Sequence, residues 1–381
     1  MRNLPRKCRQ GFSPLKRQCE CGSPLKRHQK RAVSLLSLWG KVSQVRWQYR
    51  CGECGKSVSL YEDTSLDESG CLPEVLERLQ ESTILLSYRQ AEDWLARWGV
   101  NISKSQLHAL SQQLETTQHQ EVSQQLQTQA GQALERSKDI GKRYIIEIDG
   151  VLVPTLIDTN QLEWRELKVA VLYPMRNPYK RWYCCHLGTA SEFAPLVHGL
   201  LRQAGLTQTD ELIGLSDGAL WIAELMGDLG VHRHILDVFH ASTYLETLML
   251  ALGWDEALRT HTRQDLLRGN LDVQCWLNRL SPTERTTLND EALKALRYLE
   301  KQAALDHTTY PKFKQEGIDV IGSGQVEGAN KAVFSQRLKL SGARWLPNSA
   351  NAKALARAEY YATQPIADFH HIRLLAFPNR I

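Results

Sequence analysis

The hydrophobic pattern changes several times along the chain, and each change predicts a different kind of element. Between residues 32 and 50, apolar and polar positions alternate around Trp39-Gly40-Lys41, which predicts a β-hairpin. Beyond residue 72 the spacing becomes helical. Pro73 opens a run containing Val75, Leu76 and Leu79, and Ala91, Trp94 and Leu95 mark a second run. Gly99 then interrupts the pattern and Ser103 restarts it, so Ser103 is the expected cap of a third helix. The Gln-rich stretch from Gln112 to Gln132 reads either as an exposed connecting helix or as a dimerising coil.

From residue 140 strands dominate. Residues 142–153 predict a strand with a turn, followed by strands at 167–173 and 182–187. A helix over 191–203 is expected next, with Ser191 as its cap and Glu192 in its first turn. A strand ending at Asp217, a helix over 220–229 and a strand over 234–237 complete the series. Residues 241–316 read as almost wholly helical, with Leu245, Leu248 and Leu252, then Leu293, Leu296 and Leu299, at helical intervals. Three meandering strands followed by alternating helices and strands is the order expected of a ribonuclease-H-like domain. The chain is therefore predicted to be an α/β multi-domain protein. Its expected parts are a zinc-ribbon-like basic β module (1–66), a helical, helix-turn-helix-like DNA-binding region (67–138), and a ribonuclease-H-like catalytic core. The core is expected in two parts, 139–240 and 319–381, with an all-helical insertion at 241–318 between them.

Length and composition fit this division. A chain of 381 residues exceeds one ordinary core, and its 42% hydrophobic and 23% charged content suit a soluble globular protein. No apolar run is long enough for a membrane span, and the basic start lacks the apolar stretch of a secretory signal, so a cytoplasmic location is expected. Charge is unevenly spread: residues 1–56 hold 14 Lys/Arg against 2 Asp/Glu, and the remainder 33 against 40. So basic a segment in an otherwise acidic chain suggests a nucleic-acid footprint, with a solubilising tail as the alternative.

Nine cysteines without a disulfide-like spacing point to a reducing compartment. Cys19 and Cys21 form one short knuckle and Cys51 and Cys54 another, on either side of the predicted hairpin. Four thiolates so placed can bind one zinc ion tetrahedrally. The one-residue spacer of the first knuckle is less usual, which leaves Cys8 as a possible replacement ligand. Cys71, Cys184, Cys185 and Cys275 have no paired spacing and are expected to be buried thiols.

Ile145-Ile146-Glu147-Ile148-Asp149-Gly150 and Ile213-Gly214-Leu215-Ser216-Asp217-Gly218 both read as strands ending in Asp-Gly. Gly322-Ser323-Gly324-Gln325-Val326-Glu327 reads as a glycine-rich start to a helix. Asp149, Asp217 and Glu327 can together make a three-carboxylate cage for two hard cations. With two ions, one activates a water or a 3′-hydroxyl and the other stabilises the leaving oxygen. Lys331, four residues after Glu327, either holds a phosphate or forms an intrahelical ion pair. Arg337, Lys339, Arg344 and Trp345 suit phosphate contacts and base stacking, with a solvated basic loop as the alternative. In the helical region, Lys104, Gln106 and His108 face a DNA groove if the Gly99 turn belongs to a helix-turn-helix, and solvent if it belongs to an ordinary helix pair. Asp237 and His240 lie at the same sheet edge, where His240 either orients a carboxylate or phosphate or is merely structural.

The succession Asp149, Asp217, Asp237-x-x-His240, helical block, Gly-Ser-Gly-x-x-Glu327 and Arg-Leu-Lys-x-Ser-Gly-x-x-Trp resembles DDE transposases of bacterial insertion sequences. It is most similar to the ISKra-type group and more loosely to Mutator-like transposases. The cysteine knuckles and basic hairpin resemble that group too. The resemblance implies that Asp149, Asp217 and Glu327 are catalytic carboxylates using magnesium or manganese, with Asp237 and His240 supporting them. It also implies double-stranded DNA partners, namely the element's terminal inverted repeats and a target, and an oligomer that brings two ends together. A domesticated DNA-binding regulator and a structure-specific, resolvase-like nuclease are the competing readings.

Overall fold

The computed structural model describes residues 18–59, 70–137, 141–157 and 161–363. Cys8, the possible replacement ligand, falls outside them. The described residues divide into two compact units, one ending at Leu114 and the other beginning at Glu115.

In the first unit, β1 (Leu25–Ser37) and β2 (Gly40–Cys51) form a long antiparallel hairpin, and β3 (Ser57–Ser59) pairs with β2. Ser37 pairs with Gly40, so the turn is Leu38–Trp39, and Gly40 takes the positive φ of 93° that this reversal needs. The backbone of Leu36 bonds to both Gly70 and Leu72, which fixes the hairpin to the start of α1 (Pro73–Leu85). A capping box between Ser87 and Gln90 opens α2 (Tyr88–Arg97), and the chain turns at Gly99, φ 79°. The expected cap on α3 (Lys104–Ala130) is present: Ser103 Oγ accepts from Gln106 N at 3.3 Å, and the Gln106 side chain accepts from Ser103 N. Val75, Leu79, Ala91, Leu95, Val100 and Leu107 close a small core between these helices.

The second unit is built on a five-stranded mixed sheet in the order β6-β5-β4-β7-β8. β4 (Arg143–Leu156), β5 (Leu162–Pro174) and β6 (Trp182–His186) form an antiparallel meander. β7 (Glu211–Ser216) and β8 (Arg233–Leu236) lie parallel to β4 on its other side. Alternation along β4 sends Tyr144, Ile146 and Ile148 to one face, against α4 (Ala190–Gln203) and α5 (Leu220–Asp228). The distal part of α3 packs on this side too, with Leu126 buried. Gly199 of α4 lets the two helices meet, since a Cβ there would lie 2.1 Å from the Leu126 carbonyl oxygen. Part of the Gln-rich stretch is thus a packed helix.

On the opposite face, Ile145, Val151 and Val153 meet a helical layer formed from α6 (Val238–Ala251) through α10 (Asp290–Ala304) and α11 (Tyr310–Gln315). Three short elements follow on that face. They are α12 (Gly324–Ala329), a π-helical segment (Asn330–Ser335) and α13 (Gln336–Leu338), and α14 (Pro347–Thr363) closes the layer. No helix among the described residues is long and apolar enough to cross a membrane.

Three expectations are corrected. β4 does not end at Asp149-Gly150 but runs to Leu156, because β5 pairs with it along its whole length while its parallel neighbour β7 stops at Ser216. Thr189, not Ser191, caps α4, since Thr189 and Glu192 form a reciprocal capping box. Cys275 is exposed, whereas Cys71, Cys184 and Cys185 are buried.

An ion pair inside the second unit supplies a stability prediction. Lys353 of α14 and Glu115 of α3 are both buried and hydrogen-bonded to each other, and burial pulls the Lys353 ammonium down to about 8. Glu115→Ala leaves that cation without its counter-charge and should destabilise the unit by about 3–5 kcal/mol. Calorimetry would read this as a lowered midpoint, which Glu115→Ala/Lys353→Met should partly restore.

Candidate active site and metal centre

Asp149 and Asp217 come together because of strand register. Ile148 pairs with Ser216 across the parallel β4–β7 edge, so the next residue on each strand is an aspartate at the carboxyl end of that pair. Asp149 Oδ1 accepts from Gly150 N at 2.7 Å, and Asp217 Oδ1 accepts from Ala219 N at 2.9 Å. The Tyr298 hydroxyl donates to the Asp217 carbonyl, and it occupies the space over Gly218, where a Cβ would lie 2.3 Å from it. Gly218 also adopts φ 80°, so glycine there serves the turn and the tyrosine together. Burial raises the Asp149 carboxyl above its ordinary value, and the Asp217 charge adds to the rise against the Gly150 hydrogen bond. Two like charges are therefore held close in a half-buried place.

Asp237, just past β8, caps α6 and is fully buried. Its Oδ1 accepts from His240 N at 2.8 Å and lies 3.1 Å from His240 Nδ1. Its Oδ2 accepts from Ser323 N and Ser323 Oγ at 2.6 and 2.7 Å. Burial alone would raise Asp237, but these hydrogen bonds outweigh it and hold the carboxyl at about 2. The bond to Asp237 raises His240 above its ordinary value, and the charges of Asp217 and Asp149 act in the same direction. Asp237 thus orients the His240 ring, and all three aspartates favour its protonated form.

Glu327 lies on α12, on the same sheet face as Asp149. One turn further on, Asn330 Nδ2 donates to Asp149 Oδ2 at 2.7 Å. Asn330 was not among the expected site residues, although its i+3 spacing from Glu327 puts both on one helix face. It is 8% exposed, and its Oδ1 has no hydrogen-bond partner among the described residues. Lys331 Nζ stands 3.6 Å from Glu327 and is well exposed. Hard oxygen donors, two crowded like charges and an orphaned buried carbonyl are the donor set that a hard cation would satisfy. The three carboxylates are less tightly gathered than the cysteine cluster described below, which is the one such group among the described residues.

The basic run after Glu327 divides. Lys339 and Arg344 are exposed. Arg337 and Trp345 are buried, contrary to the expectation that they meet DNA. The Arg337 guanidinium stacks over the Trp345 ring at 5.0 Å, and Trp345 Nε1 donates to the Leu338 carbonyl. Trp345 also pairs through its backbone with Pro154 and Leu156, so the far end of β4 covers it. Arg357 donates to the carbonyls of Val333 and Ala332, which fixes the π-helical segment from below. In the first unit, Lys104 and His108 are exposed, His108 stands edge-on to Tyr88, and Gln106 is engaged in the α3 cap.

A half-buried histidine pair lies next to Ser216. His234 Nε2 is 2.8 Å from Ser216 Oγ, and its ring lies 4.2 Å from that of His307. Burial first and His307 second lower His234 to about 3, so it is neutral when folded. A folded value below the unfolded one means the stability is present above the unfolded value, near 6.5, and is lost as pH falls. The expected loss is roughly 2 kcal/mol by pH 5. Urea melts at pH 7 and pH 5 should show His234→Asn losing less than the wild type.

The second centre is the cysteine cluster. Sγ atoms of Cys19, Cys21, Cys51 and Cys54 all lie within 4.8 Å of one another, with Cys19–Cys54 and Cys21–Cys51 at 3.5 Å. Thiolates about 2.3 Å from a tetrahedral ion stand about 3.8 Å apart, so the four fit one such ion. Hydrogen bonds from Ser23 pull the Cys21 thiol down to about 6, towards the thiolate a metal needs. Above the cluster, Arg27 and Lys30 each lie 5.3 Å from the Trp47 ring, and Trp39 is 94% exposed at the hairpin tip. From Leu25 to Cys51 no acidic residue is present.

No family model matches the chain, and no curated protein matches it. Among solved structures, the chain is similar to the Drosophila P element transposase strand transfer complex. Identity is 11% and the TM-score 0.38, over 78% of this chain and 93% of that one.

Proposed function

We propose that the chain is a DNA transposase that cleaves and rejoins phosphodiesters at the terminal inverted repeats of its own insertion sequence. The observation that carries this reading is the side-by-side placement of Asp149 and Asp217 where β7 ends against β4, with Asn330, just after the Glu327 helix, hydrogen-bonded to Asp149. The five-stranded order and the helical block before Glu327 support a ribonuclease-H-like core with an insertion. The motif succession that resembles bacterial DDE transposases supports the assignment to DNA transposition.

Asp149, Asp217 and Glu327 would hold magnesium or manganese, which when bound lowers the charge barrier to attack at phosphorus. The residues' own work is then positional. Gly150 and Ala219 amides fix one oxygen of each aspartate, and Asn330 fixes a second oxygen of Asp149. His240, whose protonated form the aspartates favour, would meet the scissile phosphate's negative oxygens. In cleavage, a water oxygen bonds to phosphorus as the strand's 3′-oxygen leaves and takes a proton. In joining, that 3′-hydroxyl forms the new bond to a target phosphorus, and the target's own 3′-oxygen leaves.

The zinc-braced basic hairpin, with Lys26, Arg27, Lys30, Arg31, Lys41 and Arg50 exposed, suits the phosphates of duplex DNA. The α2–α3 turn, with Lys104 and His108 exposed on α3, would add end recognition as a helix-turn-helix. Two ends imply at least a dimer. The test incubates purified protein with magnesium, labelled DNA carrying the element's ends, and a target plasmid. Joined products support the reading. Cleavage of branched DNA without joining favours a resolvase-like nuclease, and end binding without any cleavage leaves a regulator.

A further inference from the structure

We infer that Glu147 is a positioning residue that sets the place of the Glu327 helix against Asp149 and Asp217, an inference that deepens the transposase reading and rests on it. Glu147 precedes Asp149 by two residues on β4, so both side chains leave the same face of the sheet. It is 0% exposed, on a strand face it shares with Ile145, Val151 and Val153. Its Oε2 accepts from Val326 N at 2.8 Å, immediately before Glu327, and the Gln325 amide also bonds to the carboxylate. Its Oε1 accepts from the Tyr173 hydroxyl at 2.5 Å, and Tyr173 is itself buried on β5.

The sheet alone does not need this group. A carboxylate carried into an apolar layer is unfavourable unless hydrogen bonds compensate it, and a valine would fill a strand at lower cost. What Glu147 supplies is an acceptor for helix-start amides that no other part of α12 satisfies. α12 has six residues, its Ser323 cap makes no side-chain bond to it, and its first amides would otherwise stay unpaired in the interior. The turn before Glu327 is consequently held at two points by two strands: Ser323 by Asp237 beyond β8, and Val326 by Glu147 on β4. A third point, Asn330 on Asp149, lies just after the glutamate. Glu327 is the residue between these fixings. Its distance from the aspartates follows from the length of the Glu147 side chain.

Side-chain length and hydrogen bonding, rather than charge, are therefore what the position requires. Glutamine keeps both: its carbonyl accepts from Val326, and its amide can donate to Tyr173 Oη once the phenol rotates. Aspartate keeps the charge but is one methylene short of α12.

The experiment compares wild type, Glu147→Gln, Glu147→Asp, Glu147→Ala and Tyr173→Phe. It uses amide hydrogen exchange over residues 322–331, manganese binding by calorimetry, and the strand-cleavage assay. Glu147→Ala and Glu147→Asp should speed exchange across α12 by about 10- to 100-fold and weaken manganese binding by at least about tenfold. Exchange in β7 and affinity for end DNA should be unchanged in both. Glu147→Gln should stay within about threefold of wild type on every readout, and Tyr173→Phe should fall between. If Glu147→Ala fails to fold, the ordering of Gln above Asp decides alone. Wild-type exchange in α12 of the Asp variant, or Asp outperforming Gln, would overturn the inference. A wild-type protein that never cleaves DNA would overturn the transposase reading while the exchange data still decide the anchor.

Discussion

Asp149→Ala should abolish magnesium-dependent cleavage and joining, with a loss of at least about a thousandfold, while end binding and folding persist. The expectation of intact folding is specific. Asp149 is a half-buried carboxylate beside Asp217, and burial first and that neighbour's charge second hold its pKa above the ordinary value. Burial and the like charge oppose the carboxylate in the fold while Gly150 and Asn330 hydrogen-bond it, so alanine should change the melting temperature by little. Loss of a structural aspartate would lower it. Parallel measurement of melting, gel-shift affinity and strand joining separates the two. A variant that melts early and loses DNA binding with activity would remove Asp149 from the catalytic set.

Replacing Cys51 by serine should unfold the hairpin module. The module's core is small: Cys19, Leu25, Tyr49 and Cys51, with Trp47 packed against them. So few apolar side chains cannot hold two strands of 13 and 12 residues. The apparent free energy of a four-thiolate zinc site is on the order of 10–16 kcal/mol at neutral pH, which would make a bound ion the main source of order there. Elemental analysis should give one zinc per chain in wild type and less than half of that in Cys51→Ser. Trypsin should cut the variant rapidly between Lys26 and Lys41, and a strong chelator should produce the same digest from wild type. DNA affinity should fall in both, with a shallower salt dependence, because the cations of the hairpin no longer lie on one surface. Digestion unchanged by Cys51→Ser and by chelator would show that the cysteines hold no structural metal.

The hairpin was legible because Trp39-Gly40-Lys41 interrupts a regular alternation, and the α2–α3 turn because Gly99 and Ser103 mark it. The adjacency of Asp149 and Asp217 was legible as two similar strand-end motifs, although the first strand continues for seven more residues to Leu156. What escaped notice depends on pairing across long distances. Arg337 and Trp345 look like surface chemistry in a basic loop, but the far end of β4 covers them. Asn330 and Glu147 carry only weak local signals: an amide one turn from a glutamate, and a single charge in an apolar strand. Both matter because α12 docks on β4, and periodicity does not report docking. Ser191 and Thr189 were confused for a local reason, since the Thr-x-x-Glu pattern two residues earlier makes the stronger cap.

The hydrogen bond from Asn330 to Asp149 closes a loop spanning 181 residues. A ribosome adding about 5–20 residues per second makes the first aspartate roughly 10–40 s before the residue that secures it. Throughout that interval the β4 carboxylates are made but α12 does not exist, so a nascent chain would lack the complete carboxylate set that the transposase reading requires. A chain that ends between residues 217 and 326 keeps Asp149 and Asp217 yet lacks Glu327. Such fragments could occupy DNA without cutting it and would act as competitors of the full-length protein. On the transposase reading, the helical block ahead of Glu327 would therefore set a delay between first appearance and first activity, and premature termination would be a source of inhibitor.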